Sequence, residues 1–235
     1  VFTVDAMSYF LAAVFIYKIY YEEKEIEKVV HSNIKEVFQE LKLGFKYIIE
    51  SKIILLVLFI SIILNIVTAP ISTLSVMFVQ DILKLDVKFF GFLEAALSVG
   101  FIIGTAILNH ISQKKFNDIY IIILGCVLLS VGMASFSISK IFIVALASYL
   151  LIGIAMCITS VAAMTIKQKV IPQEIMGRVL GISDVIVMLF MSMSVGISGI
   201  LADYIGLRYI FMISAAGVIL LIALVVLYKK KLINN

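Results

Sequence analysis

Residues Ile53–Val79 read IILLVLFISIILNIVTAPISTLSVMFV, a stretch without one charged residue. A helix crosses the hydrocarbon layer of a bilayer in about 20 apolar residues, so this stretch spans a membrane with several positions to spare. The same pattern recurs on either side of it. Apolar runs follow at Phe89–Ile111, Ile119–Phe136, Ile141–Ile166, Val179–Ala202 and Tyr209–Tyr228, and a seventh, Phe2–Tyr17, opens the chain. Hydrophobic residues make up 63% of the sequence and charged residues 14%, against about 45–50% and about 25% in soluble domains. These runs predict an all-α, polytopic membrane bundle with no room for a sizeable soluble domain.

The net charge of +4 raises nucleic acid as a partner, but the distribution of charge points to lipid. With the runs numbered one to seven, the segments 18–52, 112–118, 167–178 and 229–235 fall on one face and carry fifteen of the nineteen Lys and Arg residues. The other face holds Lys84, Lys88, Lys140 and Arg208. The positive-inside rule places the first face, with the C-terminus, in the cytoplasm of a multi-pass cell-membrane protein, where Lys229–Lys231 meet anionic lipid. Val1 leads straight into an apolar run that carries Asp5, with no charged n-region or cleavage site before it. The expectation is that the chain starts inside a larger protein. Cys126 and Cys157 fall within apolar runs and read as small buried hydrophobes. His31 and His110 form no metal set, and no cofactor, phosphate-binding loop or nucleophile motif is present, so enzyme chemistry is not expected.

The polar stretch 22–52 is a cytoplasmic linker. After the charged Glu22–Lys28, residues Ile34, Val37, Phe38, Leu41, Phe45, Ile48 and Ile49 recur at spacings of three and four. Ser32 or Asn33 would cap this amphipathic helix, with Glu36 in its first turns. It reads both as an interfacial anchor and as a connector between transporter halves.

Within the spans, polar residues are few and therefore informative. Pro70 frees a carbonyl and bends its helix, either lining a cavity or gating, or as a tolerated kink. Asn65 and Tyr149 are polar handles among apolar neighbours. Glu94, a few residues inside its run, is costly in lipid unless it faces water or a partner. It could accept a proton, bind a cationic substrate, or pair with Lys88. Asp184, with Arg178, Lys167 and Lys169 nearby in sequence, reads as an inner-gate network or as a simple interface charge. Gly100 with Gly104, Gly177 with Gly181, and Gly196 with Gly199 mark candidate close helix crossings. Met188, Met191 and Met193 suit a sliding or adaptable apolar surface, or ordinary packing.

Several stretches are similar to one family. Asp5-Ala6-Met7-Ser8-Tyr9-Phe10, Glu40-Leu41-Lys42-Leu43-Gly44-Phe45-Lys46-Tyr47-Ile48 and Gly91-Phe92-Leu93-Glu94-Ala95-Ala96 resemble the sixth helix, the lead into the seventh, and the eighth helix of major facilitator superfamily transporters. Ile171-Pro172-Gln173-Glu174-Ile175-Met176-Gly177-Arg178-Val179, followed by the Gly199-to-Gly206 ending, resembles the bacterial macrolide and multidrug efflux branch. The loop Asn109–Lys115 is a degenerate form of that superfamily's Gly- and Arg-rich loop.

The resemblance implies the C-terminal half, helices 6–12, of a twelve-helix fold. It implies proton-coupled efflux of a hydrophobic or amphipathic compound, in partnership with a missing N-terminal half or a second half-transporter. The expected organisation is a sixth helix at 1–21, a linker at 22–52, a six-helix domain at 53–228 and a tail at 229–235. Glu94, Asn65 and Asp184 are the candidate cavity or coupling residues, Pro70 the candidate kink and Arg178 the candidate inner gate. Uptake by the same fold, and a non-transporting scaffold or inactive gene fragment, are the rival readings.

Overall fold

A computed structural model describes residues 2–18, 34–112 and 118–233. Glu22–Lys28, His31, the expected cap at Ser32 or Asn33, and Lys114 and Lys115 lie outside the described residues. The chain divides into two compact units, Val1–Gln39 and Glu40–Asn235.

The first unit holds α1, Phe2–Lys18, and the start of α2, Ile34–Glu50. The seventh apolar run is thus helical. At 17 residues and about 1.5 Å per residue, α1 as described is about 25 Å long, a little short of the hydrocarbon thickness.

The second unit takes up α2 from Glu40 and adds α3 (Lys52–Met77), α4 (Lys88–Ser112), α5 (Asp118–Ile138), α6 (Phe142–Val170), α7 (Gln173–Ile205) and α8 (Leu207–Ile233). A π-helical turn, Phe78–Ile82, continues α3. The six helices from α3 onward are each long and apolar enough to cross a membrane. The described residues contain no strand. This is what lipid demands: a helix satisfies its backbone hydrogen bonds internally where no water can do so.

α5 and α6 form the centre, with 56% of their most apolar stretches buried within the chain, whereas α7 has 6%. Two close crossings hold the centre together. Gly100 of α4 faces the α6 backbone at Leu150–Ile154, and Gly153 of α6 faces the α4 backbone at Leu97. Gly104 lies beside Cys157. The Gly100/Gly104 reading is therefore realised as a crossing. By contrast, nothing lies within 4 Å of the Cβ directions of Gly177, Gly181, Gly196 and Gly199. The α7 glycines face open space and make no crossing among the described residues.

The two ends of the bundle are closed by different chemistry. At one end the rings of Phe78, Phe136, Phe211 and Tyr149 interlock, with Phe136 4.4 Å from Phe78, 5.0 Å from Phe211 and 4.9 Å from Tyr149. Arg208 stands 5.8 Å over the Phe78 ring and donates to the carbonyls of Ser137 and Ser139. Phe89 and Phe142 meet edge to face nearby in the chain, at the starts of α4 and α6. At the other end, Ile48 of α2, Ile54 and Leu58 of α3, Ile171 and Val179 form a smaller apolar cluster.

The chain breaks between helices where backbone chemistry requires it. Ile171 precedes Pro172 and is extended (φ −84°, ψ 126°), which ends α6. Gly206 alone separates α7 from α8, at φ +86°, a conformation that L side chains rarely adopt. α7 starts at Gln173, six residues before the apolar run, and α8 continues as helix through the lysines at 229–231. The tail expected at 229–235 is therefore helical to Ile233.

Candidate functional site

Asn65 lies halfway along α3, on the wall of a half-open recess of about 100 Å³ between α3, α5 and α6. Ser61, Asn65 and Thr68 line it from α3, Thr159 and Ser160 from α6, with Leu129 of α5 and Met156 as apolar wall. Ser61 and Asn65 stand one turn apart, so both side chains emerge on the same face of α3. Four of these polar groups are tied to their own helices. Ser61 Oγ donates to Val57 O at 2.9 Å and Asn65 Nδ2 to Ser61 O at 2.8 Å. Thr68 Oγ1 donates to Leu64 O at 2.8 Å, and Thr159 Oγ1 is shared between Ala155 O and Met156 O, each at 3.0 Å. Such back-bonding lets hydroxyls survive in an apolar bundle and holds their rotamers.

Pro70 lies just beyond this cavity, buried within α3. Having no N–H, it leaves the carbonyl of Ile66 without its helical donor. Ser194 of α7 supplies one, with Oγ donating to Ile66 O at 2.7 Å. Sequence reasoning identified the freed carbonyl but not Ser194. No periodic signal marks a serine on another helix as its partner.

The charged candidates do not join the Asn65 cavity. Glu94 is half-buried, six residues into α4, about one turn before Leu97, whose carbonyl meets Gly153 of α6 one turn beyond Tyr149. It makes no ion pair with Lys88, whose backbone N–H instead binds Asp86 Oδ1 at 2.9 Å. Beside Tyr149, whose hydroxyl donates to Ile71 O at 3.4 Å, lies the fully buried Ser75. Ser75 stands ten residues from Asn65 along α3, roughly 15 Å at helical rise, so Glu94 and Asn65 occupy different levels of the bundle.

The charges expected to form one network resolve into separate pairs. Arg178 of α7 binds Glu40 of α2 at 2.7 Å, and Lys169 of α6 binds Asp118 of α5 at 2.7 Å. Lys167 is buried on α6 and makes no ion pair with Asp184 of α7. The Arg178 pair is reinforced by Tyr47, whose hydroxyl donates to Val170 O at 2.9 Å, and by Gly44, which packs against Arg178 and Ile182. All of these lie at the end of the bundle where α6 passes into α7. Among the described residues no three His, Cys, Asp or Glu side chains converge as a metal site. Cys126 and Cys157 are free and buried.

The family model of the Major Facilitator Superfamily matches residues 1–196. An uncharacterized MFS-type transporter of Methanocaldococcus jannaschii is 32% identical over 124 residues, covering 50% of this chain and 32% of that protein. The matched segment thus spans about a third of the relative's length. A multi-span all-α bundle with a polar chamber at mid-depth accords with that match. The chain belongs to the Major Facilitator Superfamily, a family of membrane transporters rather than of enzymes.

Proposed function

We propose that the chain forms one half of a secondary transporter that exports hydrophobic or amphipathic compounds by alternating access, driven by proton exchange. The reading includes the macrolide and multidrug branch as the nearest kind, and places Glu40, the α6–α7 turn and the C-terminus on the cytoplasmic side. The observation that carries it is the polar chamber at Asn65, halfway through an otherwise apolar bundle and next to a proline-broken ladder. Substrate sites of such transporters lie near the bilayer midplane where helices are interrupted.

In this reading Asn65 contacts the substrate and Pro70 supplies the bend. Glu94 exchanges the proton and Asp184 contributes to the polar path with Lys167. Arg178 and Glu40 close the inner mouth. The open glycine face of α7 is where a second six-helix half would pack, since small residues let backbones approach in lipid. The domain division at residues 21, 52 and 228 belongs to the same reading.

The test uses the complete transporter in drug-hypersensitive bacteria, with Glu94→Gln and Asn65→Ala compared against the unaltered protein by efflux of a fluorescent amphiphile. A drop of tenfold or more in export rate at equal membrane abundance is expected for Glu94→Gln. Unchanged export would remove Glu94 from the mechanism, and accumulation in place of export would reverse the direction.

A further inference from the structure

The Asn65 chamber presents more oxygen lone pairs than hydrogen-bond donors. Ser61, Thr68 and Thr159 each have one hydroxyl proton, and each directs it to a carbonyl of its own helix. Asn65 gives one amide hydrogen to Ser61 O at 2.8 Å. Only a nitrogen can approach a carbonyl that closely, so the amide orientation is fixed and Oδ1 is left as an acceptor. A hydroxyl oxygen keeps two acceptor lone pairs and an amide oxygen two more. Ser160, also in the lining, adds one hydroxyl donor and two more lone pairs, so the five polar side chains still offer acceptors in excess over the remaining amide and hydroxyl hydrogens.

A guest must match that excess. A carboxylate, a phosphate or a carbonyl-headed compound would meet lone pair against lone pair. A compact cation would meet what it needs, because neutral oxygens at close quarters replace a hydration shell. The volume of about 100 Å³ admits an alkali ion with its last waters, at about 30 Å³ for each water, or the head of a primary amine. With no carboxylate in the lining, such binding is weak and reversible, as a transport site requires.

We infer that the chamber formed by Ser61, Asn65, Thr68 and Thr159 binds a compact cation, either a free alkali ion or the primary-ammonium head of an amphiphile. The inference rests on the reading of this chamber as part of the transport path and narrows it to a ligand class.

The test is binding rather than transport, so its failure is separable from failure of the export reading. The full chain is placed in lipid nanodiscs and its thermal unfolding is followed at constant ionic strength. One series replaces choline chloride with sodium chloride. A second compares decylammonium with decyltrimethylammonium, which has the same tail and charge but no N–H. A saturable rise in melting temperature with sodium but not choline assigns a free ion. A rise with decylammonium but not its trimethyl counterpart assigns an ammonium head. Thr159→Val, close in shape but lacking the oxygen, should weaken the response about tenfold, the size expected for one hydrogen bond to a charged group. Asn65→Asp, which adds a carboxylate at the same position, should tighten it. Equal responses to sodium and choline together with equal responses to the two amphiphiles would overturn the inference. So would an unaltered response in Thr159→Val and Asn65→Asp.

Discussion

Replacing Gly153 with alanine should loosen the bundle, although the same change in an isolated helix would strengthen it. Alanine is favoured over glycine in a helix by about 1 kcal/mol. At Gly153 the added methyl would fall on the carbonyl oxygen of Leu97, well inside van der Waals contact, and 2.9 Å from the carbonyl carbon. Ordinary contact begins near 3.4 Å. Both obstructing atoms are backbone and cannot rotate away, and the nearer one, the oxygen, requires α4 and α6 to separate by about 1 Å. A gap of about 0.5–1 Å forfeits a quarter to a half of each dispersion contact along the crossing. Overpacking costs typically 1–3 kcal/mol, and the rigid obstruction places this site near 3. Set against the propensity gain of about 1 kcal/mol, the net loss is about 2 kcal/mol, roughly a 30-fold shift toward the unfolded form. Gly177→Ala is the internal control, because nothing lies within 4 Å of its Cβ direction, and it should gain up to about 1 kcal/mol. Both are measured by SDS-titrated unfolding of the full chain in mixed micelles, read by circular dichroism. A Gly153→Ala chain at least as stable as the parent would refute the reasoning, as would equal losses at the two positions.

Other substitutions test separate parts of the structure. Ser194→Ala removes the donor to the carbonyl freed by Pro70 and should cost about 1–2 kcal/mol in the same micelle assay, whereas in a Pro70→Ala background, with the backbone N–H restored, the cost should shrink. A cost independent of residue 70 would dissociate the two. Arg178→Glu and Glu40→Arg should each weaken the contact between α2 and α7, seen as slower disulfide trapping of cysteines at 44 and 182, which meet across it. The double exchange should restore the parental rate, and no recovery would deny the pair a part in holding that contact. Reporter tags after residue 233 and beside residue 40 should both register the cytoplasmic side, and tags on opposite sides would undo the topology.

The spans were legible because lipid leaves a long apolar run few alternatives to a helix. The run read at 53–79 is helical over 52–82. The start of α7 was harder to read, since Glu174 and Arg178 lower its hydropathy while its backbone is already helical at Gln173. Asn65 was legible as an exception among apolar neighbours, but its companions Thr159 and Ser160 come from another helix, and no spacing within one segment announces them. The glycines show the same limit. Gly100 with Gly104 and Gly177 with Gly181 have identical spacing, yet among the described residues only the first pair meets another helix. Spacing states that a close approach is allowed, and tertiary packing decides whether it occurs. The expected charge network likewise separated into pairs because Glu40 and Asp118 answer the cations from helices distant in sequence.

The contrast between the two ends of the bundle sets how it comes apart. Interlocked rings draw their cohesion from contact area and are indifferent to dissolved ions. Half-exposed ion pairs weaken once the Debye length shrinks to a few ångströms. Concentrated electrolyte should therefore release the Arg178–Glu40 and Lys169–Asp118 pairs first, leaving the apolar cluster around Ile48 and Val179 as the latch of that end, while the Phe136 end stays shut like a greasy rivet.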